Sequence, residues 1–287
     1  MTVGFVGTGR MGAAMVGRLC GAGESVVVFN RSRDKAEAVA DRYGARVADT
    51  ARDAANSGDV VLVSLADDTA VLGTYEGAAG LLAGIRDGAV VCDTSTVDPE
   101  TIRQLAPQVA ARGATLLDTP VSGSVPLVER GELTVMAGGD AGALQRVKPV
   151  LQHVAARIFH LGGTGAGATM KLVVNAAVHA LNVAVSEALV LAEKAGLDRA
   201  ATYDVIEVSA AGAPYVKYKR AAFLQPDDTP VAFSLDLVAK DQELIDRLAA
   251  HVGARMPQGA ANRDLVAKAI AAGLGDNDLS ALAQFLR

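Results

Sequence analysis

The chain has few cysteines and no concentration of basic residues. Its 287 residues include only two cysteines, Cys20 and Cys92, too few for the disulfide framework of a small secreted protein. Both lie among apolar neighbours, which indicates buried thiols in a reducing compartment. The formal net charge is −5 and no basic block stands out. Because nucleic-acid binding requires basic groups that neutralise phosphates, we expect no nucleic-acid partner.

The N-terminus also lacks a basic region ahead of a long apolar run, so we expect no signal peptide and a cytoplasmic protein. Residues 170–192 are long and apolar enough to resemble a membrane span. That segment nevertheless contains six polar or charged residues, Lys171, Asn175, His179, Asn182, Ser186 and Glu187. Such groups are costly in lipid, so we interpret the segment as a buried helix. We predict no membrane partner and no metal site.

The first 160 residues alternate short β-branched runs with helix-like stretches. The runs are almost continuously apolar, as in parallel strands buried on both faces. They predict strands at 3–6, 25–29, 59–64, 89–92 and 115–117. Helical periodicity predicts helices at 11–22, 33–43, 99–112 and 141–154. This alternation is typical of an α/β fold with a doubly wound parallel sheet.

From about Thr164 the character of the sequence changes. Alanine and leucine dominate, strand-like runs disappear, and helical periodicity continues to Arg287. Prolines at positions 214, 226, 230 and 257 mark the expected breaks between helices. We therefore predict a Rossmann-type domain over residues 1–162 and an all-helical domain over residues 163–287, joined by a long helix.

A glycine-rich turn follows the first predicted strand. It reads Gly7-Thr8-Gly9-Arg10-Met11-Gly12. Between a strand and a helix, this spacing is typical of dinucleotide binding. Gly7 permits the tight turn, Gly9 lets the backbone approach a pyrophosphate, and Gly12 allows close helix–strand packing, while the helix N-terminus offers N–H groups to phosphate. The alternative is a plain βα turn that uses glycine for geometry alone.

The end of the second predicted strand indicates which nicotinamide cofactor binds. NAD enzymes normally place Asp or Glu here to bind the ribose 2′-hydroxyl, whereas this chain has Asn30-Arg31-Ser32. A guanidinium binds a 2′-phosphate through charge-assisted hydrogen bonds worth about 1.5–3 kcal/mol. We predict NADP, with Arg31 as the main ligand and added hydrogen bonds from Asn30 and Ser32. A solvated surface arginine is the alternative.

A polar stripe runs along the long helix predicted from about residue 168. At about 100° per residue, its members fall within an arc of roughly 80°. They are Lys171, Asn175, His179, Asn182 and Ser186. Buried polar groups need partners, so the stripe faces a cavity, a ligand or a polar seam. We predict that Lys171 and Asn175, one turn apart, are catalytic, and that the other three make hydrogen bonds between helices or subunits.

Lysine suits the reduction of a carbonyl by hydride transfer. Negative charge develops on the carbonyl oxygen and must be stabilised and protonated. A partly desolvated ammonium has a lowered pKa and acts as a general acid, while the neutral amine takes the proton in the reverse direction.

Two loops follow predicted strands, at the edge of the sheet where open α/β folds bind ligands. Within residues 118–124, Ser122 and Gly123 offer a hydroxyl and backbone N–H groups to an anionic substrate. Residues 93–96 follow the strand that ends at Cys92. Either loop, taken alone, is equally consistent with a capped turn.

Four elements of the sequence, taken in their order along the chain, resemble the signatures of the β-hydroxyacid dehydrogenase family. That family includes 3-hydroxyisobutyrate dehydrogenases, tartronate semialdehyde reductases, and reductases of glyoxylate or succinic semialdehyde. The likeness covers essentially the whole chain. It rests on the cofactor turn at 4–12, the loop at 118–123, the segment from Gly163 through Lys171 to Asn175, and Phe233, Lys240 and Asp241.

The resemblance implies roles for individual residues. Lys171 is then the general acid/base, and Asn175 helps to orient the substrate. The implied substrate-binding residues are Ser122 and Gly123, which hold the carboxylate, and Thr96 and Lys240 near the nicotinamide. Turn and resemblance together give the cofactor-binding residues Gly7, Thr8, Gly9, Arg10, Met11, Gly12, Asn30, Arg31, Ser32, Leu65, Thr96 and Lys240. The resemblance also implies a homodimer or homotetramer in which the long helix packs against a partner.

Departures from the family pattern concern the substrate. Ser124 stands where many members have a second glycine, and bulky residues at 125–127 stand where others have small ones. Together with Asn30-Arg31-Ser32, this pattern is closer to the NADPH-dependent glyoxylate and succinic semialdehyde reductases. Imine reductases share the fold but generally have Asp or Tyr in place of the catalytic lysine, so Lys171 argues against that chemistry.

The leading hypothesis is an NADPH-dependent enzyme that interconverts a small carboxylated aldehyde or ketone and its hydroxyacid. Imine reduction on the same fold is an alternative chemistry. A non-catalytic NADP-binding sensor is a third hypothesis. A sensor needs only the nucleotide pocket, so the presence of Lys171, Asn175 and Ser122 together weighs against it.

Overall fold

A parallel sheet organises the N-terminal part of the computed structural model, which describes residues 2–287. Its strands are β1 Thr2–Val6, β2 Ser25–Phe29, β3 Arg46–Val47, β4 Val60–Val63, β5 Val90–Asp93 and β6 Thr115–Asp118. They lie in the order β3-β2-β1-β4-β5-β6, and every neighbouring pair is parallel. This is the strand order of the doubly wound dinucleotide-binding fold, which confirms the predicted fold class.

Helices between the strands cover both faces of this sheet. They are α1 Arg10–Gly21, α2 Arg33–Tyr43, α3 Ala51–Ala55, α4 Asp68–Tyr75 and α5 Pro99–Ala110, with a 3₁₀ turn at Leu81–Ala83. Alternate residues of β4 enter two different apolar clusters. Leu62 packs in the cluster that contains α1 and α2, and Val61 in the cluster that contains α3 and α5. This two-residue period explains why the strand is apolar throughout.

A second, three-stranded sheet follows β6 and was not predicted. It consists of β7 Val121–Ser122, β8 Leu133–Ala137 and β9 Ala155–His160, with α6 Val125–Arg130 and α7 Ala141–Val154 between them. Strand β7 is antiparallel to β8, and β8 is parallel to β9. An isolated bridge between Asp118 and Gly138 joins the end of β6 to the segment after β8. Since β7 has two residues and β9 is mostly exposed, neither produces an apolar run.

The long helix predicted from the apolar segment is α8, Ala166–Lys194. It is followed by α9 Arg199–Val208, α10 Pro214–Leu224, α11 Leu235–Val252, α12 Pro257–Ala269, a π turn at Ile270–Leu274, a 3₁₀ turn at Leu279–Ala281 and α13 Leu282–Phe285. Two of the predicted breaks are helix starts at proline, and the other two prolines lie between α10 and α11. The chain divides into two compact units, Met1–Lys171 and Leu172–Arg287, so α8 begins in the first unit and continues in the second.

Among residues 2–287, α8 is the one helix long and apolar enough to cross a membrane, by length and composition. It nevertheless buries four polar side chains, Asn175, His179, Asn182 and Ser186. Lipid offers no partners to such groups, and the partners of three of them are protein groups, described below. This is the pattern of a protein core helix.

The two cysteines differ in their surroundings. Cys92 is fully buried on β5, as predicted, whereas Cys20 is only half-buried near the end of α1. Burial raises the pKa of the Cys92 thiol to about 12, and the neighbouring charge of Asp93 adds to the rise. Cys92 is therefore an inert core thiol.

Candidate active site

The glycine-rich turn joins β1 to α1 in a conformation that only glycine allows at two positions. Gly7 has a φ of +99°, and a Cβ there would lie 2.2 Å from the carbonyl oxygen of Ser64. A Cβ on Gly12 would lie 2.1 Å from the carbonyl oxygen of Gly7. Gly9 differs, because nothing lies within 4 Å of the position its Cβ would occupy. The turn is therefore tight at its ends and open at its centre.

The open centre fits a phosphate group. Helix α1 begins at Arg10, directly after Gly9, so its first N–H groups border the open space, and helix N-termini attract anions. Within residues 2–287, the buried Oγ1 of Thr8 has no hydrogen-bond partner. A buried hydroxyl without a partner is costly, and a ligand oxygen at this turn would supply one. The residues present therefore fit a dinucleotide.

The side chain of Asn30 fastens the end of β2 to the turn. Its Oδ1 accepts a hydrogen bond from the backbone N–H of Thr8 at 3.0 Å, and its Nδ2 donates to the carbonyl oxygen of Ser32 at 3.0 Å. Arg31 and Ser32 are exposed. The structure thus gives Asn30 a positioning role within the turn that the sequence did not reveal, and leaves Arg31 exposed beside it.

Loops after β4 and β5 lie at the same edge of the sheet, next to the point where the strand order reverses. The Cδ2 of Leu65 lies 3.0 Å from the position of a Cβ on Gly7, so Leu65 borders the turn. Its backbone N–H donates to the Oγ of Ser95 at 2.9 Å, which joins the two loops. Thr96 follows directly and is half-buried. Ligands of doubly wound sheets bind at this crevice.

The candidate substrate loop requires glycine at one position. Ser122 ends β7, where it pairs with Thr134 of β8. Gly123 has a φ of +143°, and a Cβ there would lie 2.5 Å from the Cδ2 of Leu133. Ser124 precedes α6 without capping it, and its buried Oγ has no hydrogen-bond partner within residues 2–287. The loop therefore presents an unsatisfied hydroxyl at a position where the sequence departs from the family pattern.

Asp118 links the end of β6 to the start of α8. Its Oδ1 accepts a hydrogen bond from the backbone N–H of Gly165 at 2.9 Å, and its Oδ2 accepts one from Ala168 at 2.8 Å. Burial raises the pKa of this carboxyl, and the backbone N–H groups oppose the rise because they stabilise the ionised form. Lys171 lies on α8 one turn after Ala168 and is half-buried.

A buried carboxylate on α11 joins two of the predicted site residues in the second unit. The Nδ2 of Asn175 donates to the Oδ2 of Asp241 at 2.5 Å, and the Nζ of Lys240 lies 2.8 Å from the Oδ1. The Nε2 of His179 lies 3.6 Å from the Oδ2. Burial alone would raise the pKa of Asp241, but contact with His179 and Lys240 outweighs burial and lowers it. The sequence named Asp241 only as part of a motif.

The distal part of the polar stripe matches expectation only in part: within residues 2–287, Asn182 makes hydrogen bonds to other elements, whereas neither ring nitrogen of His179 has a hydrogen-bond partner. Asn182 donates to the carbonyl oxygen of Leu279 at 2.9 Å and accepts from the hydroxyl of Tyr215 at 2.6 Å. These are the expected hydrogen bonds between helices. Ser186 instead donates to the carbonyl oxygen of Asn182 in its own helix at 2.8 Å, a common bond of serine inside helices.

Two family descriptions match consecutive parts of the chain. Residues 2–162 match the NAD-binding domain of 6-phosphogluconate dehydrogenase. Residues 165–286 match a family described as NAD-binding of NADP-dependent 3-hydroxyisobutyrate dehydrogenase. Glyoxylate/succinic semialdehyde reductase 1 of Arabidopsis thaliana is 33% identical over 287 residues, which cover 100% of this chain and 99% of that protein.

Solved structures agree with these matches. The 3-hydroxyisobutyrate dehydrogenase of Mycobacterium tuberculosis with L-serine is 33% identical, with a TM-score of 0.85 and coverage of 100% of this chain and 99% of that chain. Psf3 in complex with NADP+ and 2-OPP is 28% identical, with a TM-score of 0.92 and coverage of 99% and 100%. An imine reductase from Pseudomonas sp. is 21% identical, covers 100% and 99%, and with a TM-score of 0.67 shows a shared fold.

Proposed function

Since the chain belongs to the NAD(P)-dependent hydroxyacid dehydrogenase and reductase family, we propose that it reduces a small carboxylated aldehyde or ketone with NADPH. The observation that carries this proposal is the pairing of Asn175 and Lys240 through Asp241. It holds a neutral amide and an ammonium together in a buried setting. Lys171 lies on α8 one turn before Asn175, so the proposed acid/base and the proposed orienting amide are on one face of one helix.

The residues divide the chemistry between them. NADPH, when bound, supplies the hydride. The ammonium of Lys171 stabilises the negative charge that develops on the carbonyl oxygen and donates a proton to it. In the oxidative direction, its neutral amine takes the proton of the alcohol. Asn175 orients the carbonyl group, while Ser122 and Gly123 hold the substrate carboxylate through a hydroxyl and a backbone N–H.

The choice of NADPH over NADH rests on the end of β2. No carboxylate stands at positions 30–32 to repel a 2′-phosphate. Asn30 ties this segment to the phosphate-binding turn through Thr8, and Arg31 is exposed beside it. A guanidinium in that place offers charge-assisted hydrogen bonds to the 2′-phosphate. One structural neighbour is described as an NADP+ complex, which supports the same assignment.

The substrate class rests on the loop after β6 and on the named relatives. We propose that the substrate is glyoxylate or succinic semialdehyde, the two compounds in the name of the similar reductase from Arabidopsis thaliana. The hydroxyl of Ser124, which has no hydrogen-bond partner in the described part of the chain, supports this choice, because it stands beside the loop that would hold the carboxylate. The hydroxyl of Ser124 favours a substrate that has an oxygen atom able to accept a hydrogen bond at that position.

The test is NADPH oxidation with glyoxylate, succinic semialdehyde, methylmalonate semialdehyde, tartronate semialdehyde and a cyclic imine. Lys171→Ala is run in parallel, with Lys268→Ala, an exposed lysine of α12, as the matched control. We expect turnover of at least one semialdehyde, loss of that turnover in Lys171→Ala, and no change in the control. Turnover of the imine alone would replace the proposal with imine reduction. Tight NADPH binding without any turnover would favour a non-catalytic sensor.

We also propose that the chain forms a homodimer or homotetramer and acts in the cytoplasm. Large apolar side chains are exposed on α8 and α9, with Leu191 72%, Val205 66% and Val208 85% exposed. We propose that these side chains belong to one exposed apolar patch, because contiguous patches of that kind mark protein–protein interaction sites. Light scattering coupled to size-exclusion chromatography measures the mass directly. A monomer at micromolar concentration would contradict the assembly.

A further inference from the structure

The start of α8 is capped by a residue distant in the sequence. Asp118 is 1% exposed, and its two carboxylate oxygens accept the backbone N–H groups of Gly165 and Ala168. N–H groups in the first turn of a helix have no partner within the helix. A carboxylate at this end also complements the helix dipole. The helix that carries Lys171 is therefore held by a side chain 47 residues before Gly165.

Four other helices are capped by the aspartate directly before them. Asp67, Asp98, Asp140 and Asp198 each precede a helix directly, and each accepts an N–H from its first turn. Residues 162–165, which precede α8, contain three glycines. A local cap fixes only its own helix, whereas a cap that ends β6 fixes α8 against the sheet.

Close backbone packing strengthens this attachment. A Cβ on Gly167 would lie 2.3 Å from the carbonyl oxygen of Met136 and 2.6 Å from that of Asp118. The backbone of Asp118 also exchanges two hydrogen bonds with Gly138, at 2.8 and 3.2 Å. Gly167 and Lys171 are four residues apart, so they lie on the same face of α8. The face that carries Lys171 therefore begins against the ends of β6 and β8.

We propose that Asp118 is a positioning residue for the proposed acid/base. It fixes the start of α8 at the carboxyl end of β6, and the loop that carries Ser122 and Gly123 leaves from the same strand end. Asp118 therefore fixes the helix that carries the proton donor, and it also stands at the start of the loop that would hold the carboxylate. The inference rests on the proposed function, since it takes Lys171 as the acid/base. Asp118 itself contacts backbone N–H groups and acts through α8.

The test is Asp118→Asn, which keeps the size of the side chain but turns one hydrogen-bond acceptor into a donor. That donor would face a backbone N–H, so one of the two bonds is lost. We expect kcat per NADPH-binding site to fall by about 10- to 100-fold, because a small displacement of a catalytic group has effects of that size. NADPH stoichiometry and affinity should stay within about twofold. Asp140→Asn, which alters the cap of α7, is the matched control and should leave kcat unchanged.

Counting NADPH sites separates positioning from mere folding. A purely structural residue would lose sites while kcat per remaining site stayed normal, and that result overturns the proposal. So does a kcat per site within about twofold of wild type. If Asp118→Asn does not fold, Gly167→Ala decides, because its methyl group would lie 2.3 Å from the carbonyl oxygen of Met136 and 3.0 Å from the Oδ2 of Asp118, and so pushes α8 away from a carboxylate that is chemically unchanged. It should lower kcat per site with NADPH binding retained, and an unchanged kcat overturns the proposal.

Lys171→Ala distinguishes the two levels of failure. If Lys171→Ala stays active, the proposed function fails and the positioning role fails with it. If Lys171→Ala is inactive while Asp118→Asn, or Gly167→Ala where Asp118→Asn does not fold, turns over normally, only the positioning role fails.

Discussion

The two compact units hold their predicted site residues in different ways. In the first unit, the site is formed mainly by backbone: close contacts with carbonyl oxygens shape the turn at Gly7–Gly12, and the turn is open at Gly9. In the second unit, it is formed by buried side chains, with Asp241 joining Asn175 and Lys240. A backbone site is sensitive to a single methyl group, whereas a side-chain site is sensitive to a single charge.

Substitution by alanine should lower the stability of the protein at one glycine of the turn and leave it almost unchanged at another. Gly7→Ala places a methyl group 2.2 Å from the carbonyl oxygen of Ser64, at a φ of +99°. We expect the free energy of unfolding to fall by about 3 kcal/mol, from steric overlap and an unfavourable backbone conformation. Gly9→Ala meets no atom within 4 Å and should leave stability within about 0.5 kcal/mol.

The cofactor measurement sharpens that pair. The methyl group of Gly9→Ala lies where the backbone would approach the pyrophosphate, so NADPH affinity should fall by more than about tenfold. Thermal unfolding without cofactor and NADPH titration measure both effects. Equal stability losses in the two variants would show that the turn is not strained at one end and open at the centre.

In the second unit, Asp241→Asn should damage both stability and turnover. It removes the carboxylate that pairs with Lys240 and puts an amide opposite the amide of Asn175. We expect the free energy of unfolding to fall by about 1–3 kcal/mol and kcat to fall by about 100-fold, because Asn175 loses its orientation. Asp246→Asn on the same helix removes a more exposed ion pair with Arg263 and should cost about 0.5 kcal/mol or less. Normal turnover in Asp241→Asn would remove Asn175 from the mechanism.

The contrast between the units also explains what the sequence could predict. Five strands of the main sheet were predictable because both faces are buried, so β4 and β5 are apolar at almost every position. The sixth, β3, was missed because it has only two residues, one of them exposed. The glycine turn was predictable because its glycine spacing lies within six consecutive residues between a strand and a helix, whereas the contact of Gly7 with Ser64 was not visible in the sequence. Strands β7 and β9 were not, since one is too short and the other too exposed to carry an apolar pattern.

Long-range partners were equally beyond the sequence. Asn175 and Asp241 are 66 residues apart, and nothing in either local sequence specifies that they meet. Asp118 stood inside a predicted substrate loop, yet its carboxylate contacts a helix start instead. Asn30 was predicted as a cofactor ligand, and its side chain is bound to Thr8 and Ser32. In each case the residue type was informative about chemistry, while only the fold supplied the partner.

The end of β2 should determine cofactor preference. Arg31→Ala should weaken NADPH binding by about 10- to 100-fold, the equivalent of one charge-assisted contact, and leave NADH binding nearly unchanged. Arg33→Ala is the control, because the side chain of Arg33 is engaged by Glu37 and Asp49, each at 2.7 Å. Titration of each variant with both nucleotides measures the ratio. An equal loss for NADPH and NADH would contradict the assignment of Arg31 to the 2′-phosphate.

The smallest expected effect concerns an ion-pair cluster of the second unit and its pH dependence. Glu193 at the end of α8 contacts Arg287 and Arg199, each at 2.8 Å. The hydrogen bond from Arg287, with that from Arg199, lowers the pKa of Glu193 from its ordinary 4.5 to about 2. Since the folded state binds the proton less readily, the stabilisation is complete above pH 4.5 and disappears as the pH falls through about 2.

We therefore expect Glu193→Gln to cost about 1 kcal/mol at pH 7 and nothing at the acid end of that window. Asp49→Asn offers the comparison in the first unit, because Asp49 and its partner Arg33 have side chains that are 80% and 57% exposed, and solvent screens such a pair. Denaturant unfolding between pH 7 and pH 2 measures both variants. If the two lose the same stability at pH 7, burial of Glu193 contributes nothing, and the second unit does not depend on this cluster.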